Sequence, residues 1–350
     1  MHDYLIVGGG VAGLRLGSIL RNKNALLLEE HKNLGPLRCS GLVSSRIHDF
    51  LDLERGIIEK EVKQAIIRCG PKRYELNIDS LVLDKEKLEK SLLKQARKNL
   101  EVMPERAIKI TESENCATVH TNRGTHQAKY IIGCDGANSL VGRHFLKNMP
   151  KKTYLGQFFY SKEPPGDAYE VFFDSRYSDL FAWTAPRKGH VEYGLISEKD
   201  PKRYGKVFLG EKMPLRIIKD GCGTIPVGLQ RASFGKGILL GNAAGQTKPL
   251  TGGGIIYSLI AAGIASEELE GAKPSGFLRY EKRCKKAFGR EVLLQNWLRK
   301  AYRLMGDPQK CWFLDLLFGR KRRLDMDFPL TGLLGSIFGI KSQKQSSKAF

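Results

Sequence analysis

Apolar residues change their spacing along this chain, and the changes divide it. Residues 3–7 form an apolar run that stops at Gly8, a helix-compatible stretch covers 11–20, and apolar residues return at 25–28. That order predicts strand, glycine turn, helix, strand. Short β-like runs at 64–68 and 73–78 precede a charged amphipathic segment over 85–100 that predicts a helix, and three short strands follow, ending at Ile131, Ile132 and Gly133. From 153 to 196 the pattern becomes all-β and rich in aromatics, including Tyr154, Phe158, Phe159, Phe172, Phe181 and Trp183. An antiparallel sheet with a broad apolar face is expected there, as a separate layer for substrate. The chain returns through Ile225 and Pro226, a strand over 237–240, the glycine-rich stretch 241–254 and another helix; beyond Pro274 it is helical and basic. No internal repeat is present, and only 341–348 is of low complexity.

The expected domains are therefore 1–150, with a small β insertion near 62–80, then an antiparallel sheet over 151–231, a return to the first domain over 232–272, and a helical, basic end over 273–350. A length of 350 residues with 41% hydrophobic content buries a sizeable core. No stretch reaches the roughly 18 consecutive apolar residues of a membrane span, and the N-terminus runs into a strand without a signal-type segment. The expected location is the cytoplasm. Seven cysteines are scattered at 39, 69, 116, 134, 222, 284 and 311 without a C-x-x-C pair or any metal-ligand spacing. Reduced thiols and no metal site are expected. A formal charge of +21 implies an anionic partner, whether a lipid surface, an acidic redox protein or nucleic acid.

The chemistry starts at the first turn. Gly8, Gly10 and Gly13 fit G-x-G-x-x-G between a strand and a helix, with Gly17 four residues on to let helix and sheet approach. The first glycine makes the turn, Gly10 admits a pyrophosphate to the backbone, and the helix N-terminus supplies amide donors. Leu26-Leu27-Leu28 ends in Glu29, about 20 residues downstream of the turn, where an acid accepts both hydroxyls of an adenosine ribose. Glu30 is the adjacent alternative; register favours Glu29. A bound dinucleotide follows.

Four further segments carry a resemblance. Gly133-Cys134-Asp135-Gly136-Ala137-Asn138-Ser139 is similar to the "GADG-x-x-S" element of FAD enzymes with the glutathione-reductase-2 or p-hydroxybenzoate-hydroxylase type of fold, and Gly241-Asn242-Ala243-Ala244-Gly245 with Pro249 to Ile255 resembles their "GDAAG … P-x-x-G-x-G" element. Gly35-Pro36-Leu37-Arg38-Cys39-Ser40-Gly41 resembles the "G-x-P-x-x-C-x-G" loop of the archaeal geranylgeranyl reductases, and 180–186 partly resembles their aromatic "P-x-x-Y-x-W-x-F-P" segment, with Phe181 in the tyrosine's place. The resemblance implies an α/β fold with a Rossmann-like FAD domain, an inserted antiparallel sheet and a C-terminal helical segment. It implies FAD as cofactor, held by Gly8, Gly10, Ala12, Gly13, Glu29, Arg38, Cys39, Ser40, Lys85, Ala107, Asp135, Asn242, Gly252, Gly253, Gly254 and Ile255. Gly252, Gly253 and Gly254 open a helix whose positive end suits the N1/C2 edge of a reduced flavin.

Two positions depart from the pattern. Asn242 stands where relatives carry aspartate, and its amide oxygen accepts from a hydroxyl without charge. Lys85 stands for the arginine of an "R-x-x-F-D" helix start, keeping the charge and losing the fork; its alternative is a helix pair with Glu89. Cys39 is the one candidate catalytic group, as orienter or proton donor, with a bland loop contact as its alternative. Phe181 and Trp183, two apart on one strand face, are the candidate substrate-binding residues, or simply core.

The C-terminal third sets Trp312, Phe313, Leu316, Leu317 and Phe318 beside the basic run 320–323, with more apolar residues at 328–340. It reads as a peripheral membrane contact or as a helix closing a core. The expected function is saturation of geranylgeranyl chains in membrane lipids by hydride from reduced FAD, with a polyprenyl lipid as substrate and NADPH or reduced ferredoxin as electron donor. The rivals are an aromatic monooxygenase or quinone-reducing flavoprotein of the same fold and, on the charge alone, a flavin-containing nucleic-acid-binding protein, with nucleic acid ranked below a membrane as partner.

Overall fold

The computed structural model describes residues 1–21, 24–31, 34, 39–147, 153–270, 273–319 and 323–330. Arg38 with its neighbours 35–37, the basic residues 320–322 and the apolar stretch 333–340 lie outside the described residues. Strand β1 (His2–Val7), helix α1 (Val11–Ile19) and strand β2 (Ala25–Leu28) come first, then β3 (Leu42–Ser44), the hairpin β4 (Ile58–Cys69) and β5 (Lys72–Leu83), and helix α2 (Lys85–Ala96). Four strands follow, β6 (Glu101–Met103), β7 (Ala107–Glu112), β8 (Ala117–Thr121) and β9 (Thr125–Gly133), then helix α3 (Leu140–Leu146). The aromatic region gives β10 (Thr153–Ser161), β11 (Ala168–Phe172), β12 (Phe181–Arg187) and β13 (His190–Ser197), with helix α4 (Pro201–Lys212) and β14 (Ile217–Pro226) behind them. Short strands β15 (Ser233–Phe234) and β16 (Gly237–Leu239) lead to helices α5 (Ile255–Glu268), α6 (Pro274–Cys284), α7 (Arg290–Arg303) and α8 (Asp307–Phe318).

Among the described residues the strands form two eight-stranded sheets. The first runs β15-β16-β9-β1-β2-β6, with β8 and β7 paired in turn outside β9. Its ladder from β16 to β6 is parallel, and β1 from Tyr4 on and all of β2 are buried and largely apolar because such a sheet is covered on both faces. Helix α1 packs against α2 and α5. Helix α5 is buried on almost every side, as an apolar helix must be. Asp84 caps α2 by accepting from Lys87 N (3.1 Å).

The second sheet runs β14-β10-β13-β12-β11-β4-β5-β3. The pair at 64–68 and 73–78, read from sequence as a small insertion, joins this sheet between β11 and β3: each strand is twelve residues long, and β4 pairs parallel to β11, from Gln64 opposite Ala168 to Arg68 opposite Phe172. Between 100 and 133 there are four strands rather than three, because the short β6 extends the parallel sheet beyond β2 before the β7–β8 hairpin begins.

The expectation that every cysteine is a reduced thiol is corrected. Cys69 at the end of β4 and Cys311 on α8 form a disulfide, 242 residues apart in sequence. The fold lays α8 against β4 and β5 and brings their Cα atoms to 5.4 Å, within the normal range for a bridge; Cys39, Cys116, Cys134, Cys222 and Cys284 are free thiols. No helix among the described residues is long and apolar enough to cross a membrane.

Candidate cofactor and substrate cavity

One cavity of about 1060 Å³ lies between the two sheets, and its wall passes from Gly8, Gly9 and Gly10 past Trp183 to Phe313 and Phe318 of α8. Pockets for small ligands usually measure roughly 300–1,000 Å³, so this one has room for a large cofactor and a second molecule.

The first half is built from backbone. Gly8 ends β1 with φ +103, and a Cβ there would fall 2.4 Å from the carbonyl oxygen of Cys134; only glycine makes this turn. Gly10 caps α1, and a Cβ on it would meet nothing within 4 Å. Its backbone faces open cavity at a helix N-terminus, where amides and the helix dipole favour an anion. Glu29, at the end of β2, accepts from Gly9 N (2.6 Å) and His31 N (2.8 Å) and lies 2.6 Å from His31 Nδ1. Glu30 also reaches the wall and pairs with Arg106 (3.4 Å), so both acids flank this end, with Glu29 the more enclosed.

Most of the residues read from sequence meet here. Gly8, Gly10, Ala12, Glu29, Cys39, Ser40, Lys85, Ala107, Asp135, Asn242, Gly252, Gly253, Gly254, Ile255, Phe181 and Trp183 all line the cavity. Gly13 does not: a Cβ there would sit 2.0 Å from Gly8 O, so its part is to let α1 pack under the turn. Asp135 presents its carboxylate to the start of α3, accepting from Ser139 Oγ (2.5 Å) and Val141 N (3.1 Å); burial pushes its acid up. Lys85 pairs with Glu89 one turn along α2, and both line the cavity.

Several groups escaped the sequence reading. Lys248 lines the cavity beside the glycines that precede α5; its Cε would be 2.7 Å from a Cβ on Gly253. Its Nζ donates to Met326 O (2.7 Å) and approaches Asp327 Oδ1 (3.2 Å), while Ser44 Oγ donates to the other oxygen of the same buried acid. A buried lysine in a Gln-Thr-Lys-Pro stretch carries no local signal.

The second half is built from side chains. Ala65 and Ile67 of β4, Tyr169 and Val171 of β11, Phe181 and Trp183 of β12 present an apolar sheet face, closed by Leu298 and Tyr302 of α7 and by Phe313, Leu314, Leu317 and Phe318 of α8. Trp183 stands opposite Gly194 in the β12–β13 ladder, and a Cβ on Gly194 would fall 2.2 Å from the indole, so the ring lies across the glycine's backbone. Behind it Glu192, fully buried, accepts from Trp183 Nε1 (2.8 Å) and from Arg187 Nη1 (2.6 Å). Arg187 also donates to Glu59 (2.9 Å), Ser40 O (2.6 Å) and Leu83 O (3.0 Å). Burial raises the Glu192 acid to about 7 against the opposing pull of Arg187. The network ties the Trp183 ring to the loop that carries Cys39. Burial also raises the Cys39 thiol, with Lys85 pulling the other way, and Gly41 N donates to its Sγ (3.4 Å).

A glycine turn after a parallel strand, an acid at the end of the next strand and a second glycine-rich helix start define a dinucleotide-binding α/β oxidoreductase. The cradle at Gly8–Gly10 and the room beside it fit FAD. Residues 1–158 match the family model described as FAD binding domain, and the chain is an FAD-dependent oxidoreductase. It is 29% identical over 333 residues to an uncharacterized protein of Methanocaldococcus jannaschii, covering 87% of this chain and 85% of that one. It is 24% identical to a digeranylgeranylglycerophospholipid reductase of Methanocella arvoryzae over 83% of this chain and 84% of the relative. In structure it resembles a geranylgeranyl bacteriochlorophyll reductase-like protein of Thermoplasma acidophilum, with TM-score 0.83, 21% identity and coverage of 96% and 95% of the two chains.

Proposed function

We propose that this protein saturates carbon–carbon double bonds in the geranylgeranyl chains of isoprenoid membrane lipids, with FAD held by the glycine wall and substrate held by the aromatic one. The observation that carries the reading is the apolar half of the cavity, which continues from Trp183 to Phe318. An isoprenoid chain offers no hydrogen-bonding group and is held by apolar area, at about 25 cal/mol per Å² removed from water. The reductase name of the Methanocella relative supports the same substrate class.

The chemistry that reduced FAD supplies when bound is a hydride for one alkene carbon. The chain supplies the rest. An isolated trisubstituted alkene accepts hydride poorly, so a proton must reach the other carbon in the same step, in a site kept dry. Cys39 holds that proton on Sγ: burial keeps the thiol neutral, which suits a donor and not a nucleophile. Phe181 and Trp183 orient the chain, and Arg187 holds Ser40 O so that the Cys39 loop and the Trp183 floor keep their spacing. Lys248 and the positive end of α5 place favourable charge along Gly252, Gly253 and Gly254. Lys85 and Asn242 take the places of the relatives' arginine and aspartate toward the cofactor. Electrons are resupplied by NADPH or reduced ferredoxin, at the cytoplasmic surface of the membrane.

Anaerobic incubation of the FAD-bound protein with dithionite and a geranylgeranylated glycerophospholipid tests this reading by mass spectrometry. The lipid gains a pair of hydrogens per double bond and the flavin reoxidises. Unchanged lipid mass with the flavin still reduced removes the assignment, and oxygen uptake driven by a phenolic compound would replace it with a monooxygenase.

A further inference from the structure

Helix α7 is inside out. Its buried residues are Glu291, Val292, Gln295, Arg299 and Tyr302, one helical stripe that is mostly polar. Each polar member has partners: Gln295 Nε2 donates to Glu291 (2.9 Å), Leu330 N donates to Glu291 (3.1 Å), Leu250 N donates to Gln295 (3.2 Å), and Arg299 reaches Glu198 (3.1 Å). The opposite stripe carries Leu293 and Trp297, 61% and 69% exposed, and runs on to Leu304, 89% exposed. A helix in water has the reverse arrangement. Helix α8 continues the theme: Trp312 and Leu316, one turn apart, are 65% and 69% exposed, while Phe313 and Leu317 line the cavity from the other side. Lys310 of α8 lies 4.9 Å from the ring of Tyr302 of α7, so the two helices are neighbouring panels of one wall, a single helix thick among the described residues.

We propose that the outer faces of α7 and α8 dock on an anionic lipid bilayer, and that hydrocarbon chains reach the cavity through this wall. The proposal rests on the reading that the substrate is a membrane lipid. Two of the chain's three tryptophans stand on this face, and tryptophan prefers the level of lipid head groups. Arg290 and Lys300 accompany them, with Lys300 Nζ 5.2 Å from the Trp297 ring, while Arg303 is paired with Glu198 (3.0 Å). Asp315, the acid between Trp312 and Leu316, is engaged by Lys72 (2.9 Å) and Tyr74 (3.0 Å). A second copy of a chain charged +21 is a poorer occupant than phosphate head groups.

Flotation of the FAD-bound full chain with phosphatidylglycerol or phosphatidylcholine vesicles tests it, alongside the double variant Trp297→Glu, Trp312→Glu and a control, Leu278→Glu, at another exposed apolar site of 60% exposure. The wild type and the control float with phosphatidylglycerol and much less with phosphatidylcholine. The double variant loses about tenfold or more in binding, with its flavin absorbance and melting temperature unchanged. It still reduces lipid dispersed in detergent and fails on lipid embedded in vesicles. Equal binding by wild type and double variant overturns the proposal. So does equal loss in the control, or a wild-type dimer in sedimentation that the double variant abolishes. Failure of the wild type on detergent-dispersed lipid removes the substrate reading instead, and leaves the vesicle result to be judged separately.

Discussion

The two halves of the cavity hold their ligands by opposite means. At Gly8, Gly9 and Gly10 the wall is main chain, brought close by residues that lack a Cβ and recognised through amides and one helix end. At Tyr169, Phe181 and Trp183 it is side chain, supported from behind by an ionic network in which Glu192 and Arg187 are both buried. The first wall suits a ligand with fixed polar groups, and a Cβ added at Gly8 or Gly9 breaks it. The second suits a ligand with none, and it depends on groups that never touch that ligand.

Substitution separates the two most sharply at the turn. In Gly8→Ala the new Cβ meets Cys134 O at 2.4 Å with φ at +103, so the purified protein is expected to carry no FAD absorbance. A variant that retains full flavin would erase the distinction. Trp183→Ala acts on the other wall. Truncating a buried tryptophan costs about 3–5 kcal/mol, and here it also removes the indole N–H from a buried acid. Thermal melts should register this loss at an unchanged flavin content per folded molecule, whereas loss of flavin with little change in stability would mean that the aromatic wall serves the cofactor.

The same contrast explains what could be read in advance. The glycine wall was legible because these determinants fall within one strand–helix–strand unit at the start of the chain and each has a backbone reason: Gly8 turns, Gly10 opens, Glu29 ends the next strand. The aromatic wall was legible only at Phe181 and Trp183, which share one strand face. Its remaining members are assembled by pairings that local periodicity does not carry, above all β4 beside β11 and α8 bridged to β4 through Cys69 and Cys311. Lys248 and Glu192 escaped because charge in a strand or loop reads as solvent-facing until burial is known. The inversion of α7 was hidden for the same reason: a mixed helix shows its period in sequence, but not which face turns inward.

Between the two walls sits Cys39. If its thiol delivers the proton, Cys39→Ser keeps FAD and stability and lowers the rate about 100-fold, the lower range for loss of a general acid and about 2.7 kcal/mol of barrier. Single-turnover flavin reoxidation measures it. An unchanged rate would move the proton elsewhere and leave Cys39 as a loop contact.

The smallest effect probes the support behind Trp183. Glu192 is raised by burial to about 7 from an ordinary carboxyl value of 4.5, so the folded state holds a proton that the unfolded chain releases between those values. Stability from this group is complete below about pH 4.5 and declines as pH rises through 7, by at most about 1.4 kcal/mol per pH unit. Glu192→Gln retains an acceptor for Trp183 Nε1, and Arg187 keeps Glu59, Ser40 O and Leu83 O, but the substituted side chain does not titrate. Asp135 and Asp179 are also raised by burial and shape the pH profile of both proteins alike, so the difference between the two curves isolates Glu192. Melting temperatures from pH 5 to 8 should therefore fall less steeply in the variant. Parallel curves would mean that Arg187 keeps the acid ionised throughout, and that the aromatic wall rests on a permanent ion pair rather than on a group poised to change charge.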